Sequence, residues 1–213
     1  MIISWYGHAC FRLDVRDTTI AIDPFPKELG LTPPRFQASV ILVTHAHPDH
    51  ANVATIGGSP LVITGPGEYE VRGVSVHGIP SFHDAAGGQE RGLNTIYRIE
   101  AEGITVAHLG DFGERQLRTE TAEALGDVDI LMIPVGGGST IDAKAAATIV
   151  REVEPRVIIP MHFRLPDLRH KLLPLDDFLK ACSASRPERL DKLTIKKSGL
   201  TLDETRLVVL AAG

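Results

Sequence analysis

The stretch Thr44-His-Ala-His-Pro-Asp-His50, set directly behind the apolar run Ser39-Val-Ile-Leu-Val43, organises the chain. Four side chains able to hold a metal, His45, His47, Asp49 and His50, fall within it. A continuous β-branched run reads as a buried strand, and Pro48 suits the first turn of a following helix. The histidines are therefore expected on the loop at the carboxyl end of a strand, where open α/β sheets place their sites.

Spacing decides how the cluster can be used. His45 and His47, two apart on an extended loop, can converge on one cation, while Asp49 and His50 point toward a neighbouring position. One short segment can thus seed two metal sites. A solvated polar turn is the bland alternative, and so many ligand-type residues packed behind a buried strand argue against it.

Composition narrows the class. The 213 residues are 43% hydrophobic with mean hydropathy near zero, which suits one globular domain over residues 1–213. Twenty-two basic against 27 acidic residues give a formal charge of −5. No Lys/Arg block could track a phosphate backbone, so nucleic acid is not favoured as a partner. Cys10 and Cys182, far apart and outside any C-x-x-C pair, read as reduced, buried thiols. The opening Met-Ile-Ile-Ser-Trp lacks a basic, then apolar, leader, and no run approaches the ~20 apolar residues that span a bilayer. A cytoplasmic protein without a membrane partner is expected; a homo-oligomer is compatible with this composition.

Along the chain, Ile2 to Tyr6, Cys10 to Val15 and Thr18 to Ile22 read as an antiparallel meander with His8 in its first turn. The proline-rich stretch from Asp23 to Pro34 reads as a surface connection; Asp23 ends a strand and could approach the site, but reads first as a turn cap. A short helix is expected near Ala51 to Ile56, then strands near Leu61 to Thr64 and Val74 to Gly78. His83 lies just beyond the latter, where an isolated histidine reads as an ordinary loop residue. Asn94 to Glu100 and Ile104 to His108 form a hairpin, with His108 as a satisfied interior residue. Asp111 reads locally as the cap of a helix starting near Glu114.

Asp129 to Ile133 is a further buried strand. The Gly136-Gly-Gly138 loop behind it lacks the Walker spacing and lysine, so close backbone approach to the site is expected in place of phosphate binding. Thr140 or Asp142 caps a helix through about Val153, and Arg156 to Pro160 is the strand that His162 closes. The element order before His45 and before His162 suggests two related halves. The tail reads as a helix near Leu175 to Ala184, a charged connection from Arg186 to Lys192, and strands near Leu193 to Lys197 and Arg206 to Leu210.

The His-x-His-x-Asp-His pattern behind a hydrophobic strand resembles the signature of the metallo-β-lactamase superfamily. Similarity extends through Trp5-Tyr-Gly-His8, Gly65-Pro-Gly-Glu-Tyr69, Pro80-Ser-Phe-His-Asp84, His108-Leu-Gly-Asp111, Pro134-Val-Gly-Gly137 and Pro160-Met-His162. It is closest to the small, stand-alone hydrolases that include ascorbate-6-phosphate lactonase-like proteins. The resemblance implies an α/β fold, a four-layer αββα sandwich. It further implies a first metal held by His45, His47 and His83, a second held by Asp49, His50 and His162, and Asp111 bridging the two. His8 becomes a candidate substrate contact.

Nitrogen and oxygen donors without thiolate suit two divalent ions, best Zn²⁺, with Mn²⁺ or Fe²⁺ compatible. Two cations ~3.5 to 4 Å apart can lower the pKa of a bridging water toward ~7 and polarise a carbonyl or phosphoryl oxygen. Asp49 would orient that hydroxide and manage its proton. The expected activity is hydrolysis of an ester, lactone or phosphoester in a small-molecule substrate. Within the resemblance, Asp111 and the lack of a leader disfavour a β-lactamase, and His47 disfavours the flavodiiron-like branch. The rival readings are a non-catalytic metal- or metabolite-binding protein that keeps the fold, and a nucleic-acid phosphodiesterase of the same superfamily.

Overall fold

A computed structural model describes residues 1–184, 187–200 and 205–213. Among these described residues, fourteen strands form two facing sheets. The first sheet is built from β1 (Ile2–Gly7), β2 (Cys10–Val15), β3 (Thr18–Ile22), β4 (Val40–Leu42) and β5 (Leu61–Ile63). The second follows in the chain with β6 (Gly67–Val71), β7 (Val74–Phe82), β8 (Leu93–Ala101) and β9 (Ile104–His108). Helix α1 (Thr119–Leu125) then leads to β10 (Ile130–Pro134), α2 (Ala143–Val153), β11 (Val157–Met161) and α3 (Leu175–Ala181). The tail adds β12 (Glu188–Leu190), β13 (Lys192–Thr194) and β14 (Arg206–Leu210). In space the sheets run β13-β1-β2-β3-β4-β5 and β12-β14-β11-β10-β9-β8-β7-β6.

Period-two alternation explains the layering. Ile20, Ile22, Val40 and Leu42 point into the large core between the sheets, while their neighbours Ala21 and Ile41 face outward and are covered by Phe36, Ala51, Val53 and Ile56. The second sheet carries α1 against β7, and α2 against β10 and α3. The α2 start matches the sequence reading, because Asp142 accepts from the backbone N–H groups of Lys144 and Ala145. On the first sheet the outer layer is thinner than a helical sandwich implies. Among the described residues it has only 3-10 turns, Lys27–Leu29 and Val53–Thr55.

Several local expectations give way to tertiary contacts. No α-helix follows Pro48: the Asn52 N–H is taken by the Pro24 carbonyl at 2.8 Å, and Val53 and Thr55 are β-branched. Helix α1 begins at Thr119, not near Glu114, because the Glu114 carboxylate accepts from Phe82 N and pairs with Arg118. Strand β7 runs through Pro80 to Phe82, since β6 pairs with it only as far as Gly78 and the missing N–H then faces an unpaired edge. Strands β6 and β12 were not expected. Arg186, the start of the anticipated charged connection, lies outside the described residues. Both cysteines are free, Cys10 buried and Cys182 only half-buried. Among the described residues no helix is long and apolar enough to cross a membrane.

The sheets are fastened at the end where the histidines emerge. The Tyr97 hydroxyl on β8 lies 2.9 Å from the Val43 carbonyl and 3.2 Å from that of Ile63, and Thr95 N donates to the Thr44 carbonyl at 2.8 Å. Two glycines let loops press onto this end. A Cβ on Gly113 would strike the backbone of His83 and Asp84, and one on Gly136 would strike the His162 carbonyl. We therefore expect Gly113→Ala and Gly136→Ala each to cost about 1–3 kcal/mol in urea denaturation. Gly65→Ala, whose Cβ would meet nothing within 4 Å, should stay within about 0.5 kcal/mol. Equal effects at all three positions would contradict this packing.

Candidate metal centre

Strand ends from both sheets supply the donors. His45, His47, Asp49 and His50 follow β4; His83 follows β7, Asp111 lies just past β9, and His162 directly follows β11. Three strand ends around the site, after β1, β3 and β11, are tight. His8, Asp23 and His162 adopt φ values of 54°, 47° and 52°, a left-handed backbone costing roughly 1–3 kcal/mol per non-glycine residue. The His8 carbonyl locks two of them together, accepting from Trp5 Nε1 at 3.1 Å and from His162 N at 3.0 Å.

His45, His47 and His83 present one ring nitrogen each, all within 4.8 Å of one another. His45, His50 and Asp111 form a second such group, and His8, His50 and His162 a third. Asp111 stands between them. Its Oδ2 lies 3.5 Å from His83 Nε2 and 3.3 Å from His162 Nε2, and its Oδ1 lies 3.4 Å from His50 Nε2. Asp49 falls toward the outer edge: its Oδ2 is 3.3 Å from His8 Nε2 and 3.8 Å from His50 Nε2.

The sequence reading of Asp23 as a turn cap misses what holds these rings. Asp23 is fully buried. Its Oδ1 accepts from Thr44 N at 2.8 Å, and its Oδ2 accepts from Thr44 Oγ1 at 2.7 Å and from His50 Nδ1 at 2.8 Å. With its hydrogen committed to Asp23, Thr44 Oγ1 can only accept from His45 Nδ1, 2.9 Å away. One carboxylate thereby fixes the tautomers of His45 and His50 and turns both Nε2 atoms toward the cleft. Asn94 does similar work for Asp111. Its Oδ1 accepts Asp111 N at 2.9 Å while its amide donates to Ser81 Oγ and the Leu109 carbonyl. Neither Asp23 nor Asn94 carries a local motif; only contacts distant in sequence reveal them.

Electrostatics leave ionised carboxylates beside neutral donor rings. Burial alone would raise the Asp111 pKa, yet His162 and His50 hold it well below the usual carboxylate range. Burial would lower that of His50, but Asp111 and Asp23 hold it well above the ordinary histidine value. His8 and His45 are lowered to about 3, first by burial and then by neighbouring histidines, so their rings are neutral and able to donate a lone pair at pH 7. Burial also lowers His83, helped by His47, His50 and Arg91. His45 Nε2, His162 Nε2 and Asp111 Oδ1 are buried without a hydrogen-bond partner among the described residues. Such atoms cost free energy unless something coordinates them, and a divalent cation fits this nitrogen and oxygen set.

Six of the seven anticipated residues share these donor groups, and Asp49 lies at their edge. His8 stands beside them, 3.0 Å from His50 Nε2, and His108 is the satisfied interior residue expected, with Nε2 on the Ala9 carbonyl and Nδ1 accepting from Gly110 N. No sequence signal singles out His170, on the loop after β11: its Nδ1 reaches 3.8 Å from Asp49 Oδ2. Its Arg-His-Lys setting carries no ligand signature.

Comparison with known proteins identifies the family. Residues 2–162 match the model of the beta-lactamase superfamily domain. A UPF0173 protein of Pyrococcus furiosus is 35% identical over 76% of this chain and 83% of its own length. A UPF0173 metal-dependent hydrolase of Thermococcus onnurineus is 30% identical over 76% and 84%. Among solved structures, a Thermotoga maritima protein named as a candidate Zn-dependent hydrolase superposes with a TM-score of 0.82 at 36% identity, covering 98% of this chain and 97% of that one. With the histidine cluster, the two-sheet fold and these relatives in agreement, the chain belongs to the metallo-β-lactamase superfamily.

Proposed function

We propose that this chain is a binuclear metal-dependent hydrolase acting on an ester, lactone or phosphoester bond of a small-molecule substrate. The observation that carries the reading is the position of Asp111, within 3.5 Å of ring nitrogens belonging to both histidine groups. His45, His47 and His83 would hold one ion, Asp49, His50 and His162 the other, and Asp111 would contact both. The nitrogen and oxygen set favours Zn²⁺, with Mn²⁺ and Fe²⁺ compatible. When bound, the ion pair supplies an activated water and a Lewis acid for the carbonyl or phosphoryl oxygen.

The chain's own residues do the rest. Asp49 is held ionised, since its contacts with His8 and His50 outweigh burial, and a half-buried carboxylate at the cleft edge can accept a hydrogen bond from the attacking water. His8, fully buried beneath it, keeps that carboxylate aimed. Two neighbouring donor groups also support the binuclear reading over a single structural ion, whose site would be closed by four ligands. The relatives' name, metal-dependent hydrolase, supports catalysis over passive binding.

The two carboxylates should fail differently. Asp49→Asn should retain metal but lose on the order of 10²-fold or more in kcat on 4-nitrophenyl acetate or bis(4-nitrophenyl) phosphate, whichever is turned over. Asp111→Ala should lose metal as well as rate by elemental analysis. Near-normal turnover in Asp49→Asn, or full occupancy in Asp111→Ala, would refute the assigned roles.

Asp23 gives an independent check that touches no substrate. Asp23→Asn keeps the side-chain volume but leaves one acceptor oxygen for three donors, Thr44 N, Thr44 Oγ1 and His50 Nδ1, so metal affinity should drop roughly 10–100-fold against a competing chelator. Unchanged affinity in a variant with normal thermal stability would contradict its orienting role.

A further inference from the structure

We propose that His170 contacts the substrate, donating a ring N–H to an anionic oxygen carried on the part of the molecule that does not react. This rests on the hydrolase reading and specifies its substrate class: a small molecule bearing a phosphate or carboxylate.

The segment from Arg164 to Leu173 is a built wall of the cleft, not a free loop. It leaves β11 at His162, and Arg164 N donates to the Leu173 carbonyl, closing its base at 3.0 Å. Leu173 N donates to the Gly136 carbonyl at 2.8 Å, and Arg169 N donates to the Leu29 carbonyl at 3.0 Å. Gly30 makes the second seam possible: a Cβ there would strike the Asp167 carbonyl and crowd the Arg169 side chain. The wall is thus pinned to both sheets' loops, beside the His8 and Asp49 end of the cleft.

His170 is the member of this wall that reaches the centre. It shares a donor group with His8 and Asp49, and its ring meets that of His8 edge-on, with centroids 5.5 Å apart. Yet it is 44% exposed, unlike the buried rings of His8, His50 and His162, and at 3.8 Å its Nδ1 is too far from Asp49 Oδ2 for a hydrogen bond. A side chain so placed faces solvent and whatever enters. Its neighbours Arg169 and Lys171 are exposed and basic, in a chain of net charge −5. At the other end, Arg91 is tied beside His83, its backbone N donating to Asp84 Oδ2 at 2.8 Å. Positive charge at both ends of a cleft in an acidic protein attracts and orients an anion.

Protein loaded with Zn²⁺ should be titrated calorimetrically with inorganic phosphate and, separately, acetate; the tighter of the two identifies the group. His170→Leu should weaken that binding on the order of tenfold with metal content unchanged. His170→Asn, which keeps an N–H donor near the position of Nδ1, should recover most of the affinity. Gly30→Ala, which displaces the wall without touching a donor, should weaken binding as His170→Leu does. Binding of neither anion, equal affinity in His170→Leu, or no recovery in His170→Asn would overturn the proposal. Loss of metal in His170→Leu would also overturn it, making His170 a ligand. Wild-type protein that fails to take up two ions would instead refute the binuclear reading, whatever His170 does.

Discussion

The buried carboxylate of Asp23 is the constraint on which the site depends. A charge taken fully out of water must be paired and hydrogen-bonded to be tolerated, and Asp23 meets that demand with Thr44 N, Thr44 Oγ1 and His50 Nδ1. The same three bonds hold the start of the His45 to His50 loop against the end of β3. Pairing with His50 outweighs desolvation and keeps Asp23 below the usual carboxylate range. What stabilises the buried charge therefore also aims two imidazoles.

Strain and packing are balanced around this point. His8, Asp23 and His162 take up left-handed backbone at three strand ends, and the continuous core between the sheets holds those ends in place. Gly110 completes the fit: with φ at 57°, it lets the Asp111 loop lie against Thr44 and Asn94, where a Cβ would collide. Two sheets that contribute different donors are thus brought within one ion's reach, because tight corners and a missing side chain remove the material that would keep them apart.

How much of this the sequence carries depends on the range of each interaction. The strand-then-histidine order at Val43 to His50 is local, so both the strand and the donor cluster are legible there. His83, Asp111 and His162 gain their meaning from family resemblance, since each taken alone reads as a loop residue or a cap. Asp23 acts across 21 and 27 positions on Thr44 and His50, and Asn94 across 17 on Asp111. No periodicity or spacing announces such partners. The helix expected after Pro48 is absent for a related reason: backbone donors that a helix would use internally are claimed from outside.

The proposed binuclear centre puts two neighbouring ions where both sheets converge, with Asp111 between them. Anomalous diffraction at the zinc edge, from crystals of zinc-loaded protein, tests it most directly. The account predicts two peaks about 3.5–4 Å apart, one among His45, His47 and His83 and the other beside His50 and His162, both within bonding distance of Asp111. A single peak at full zinc saturation, or a second one away from Asp111, would contradict it.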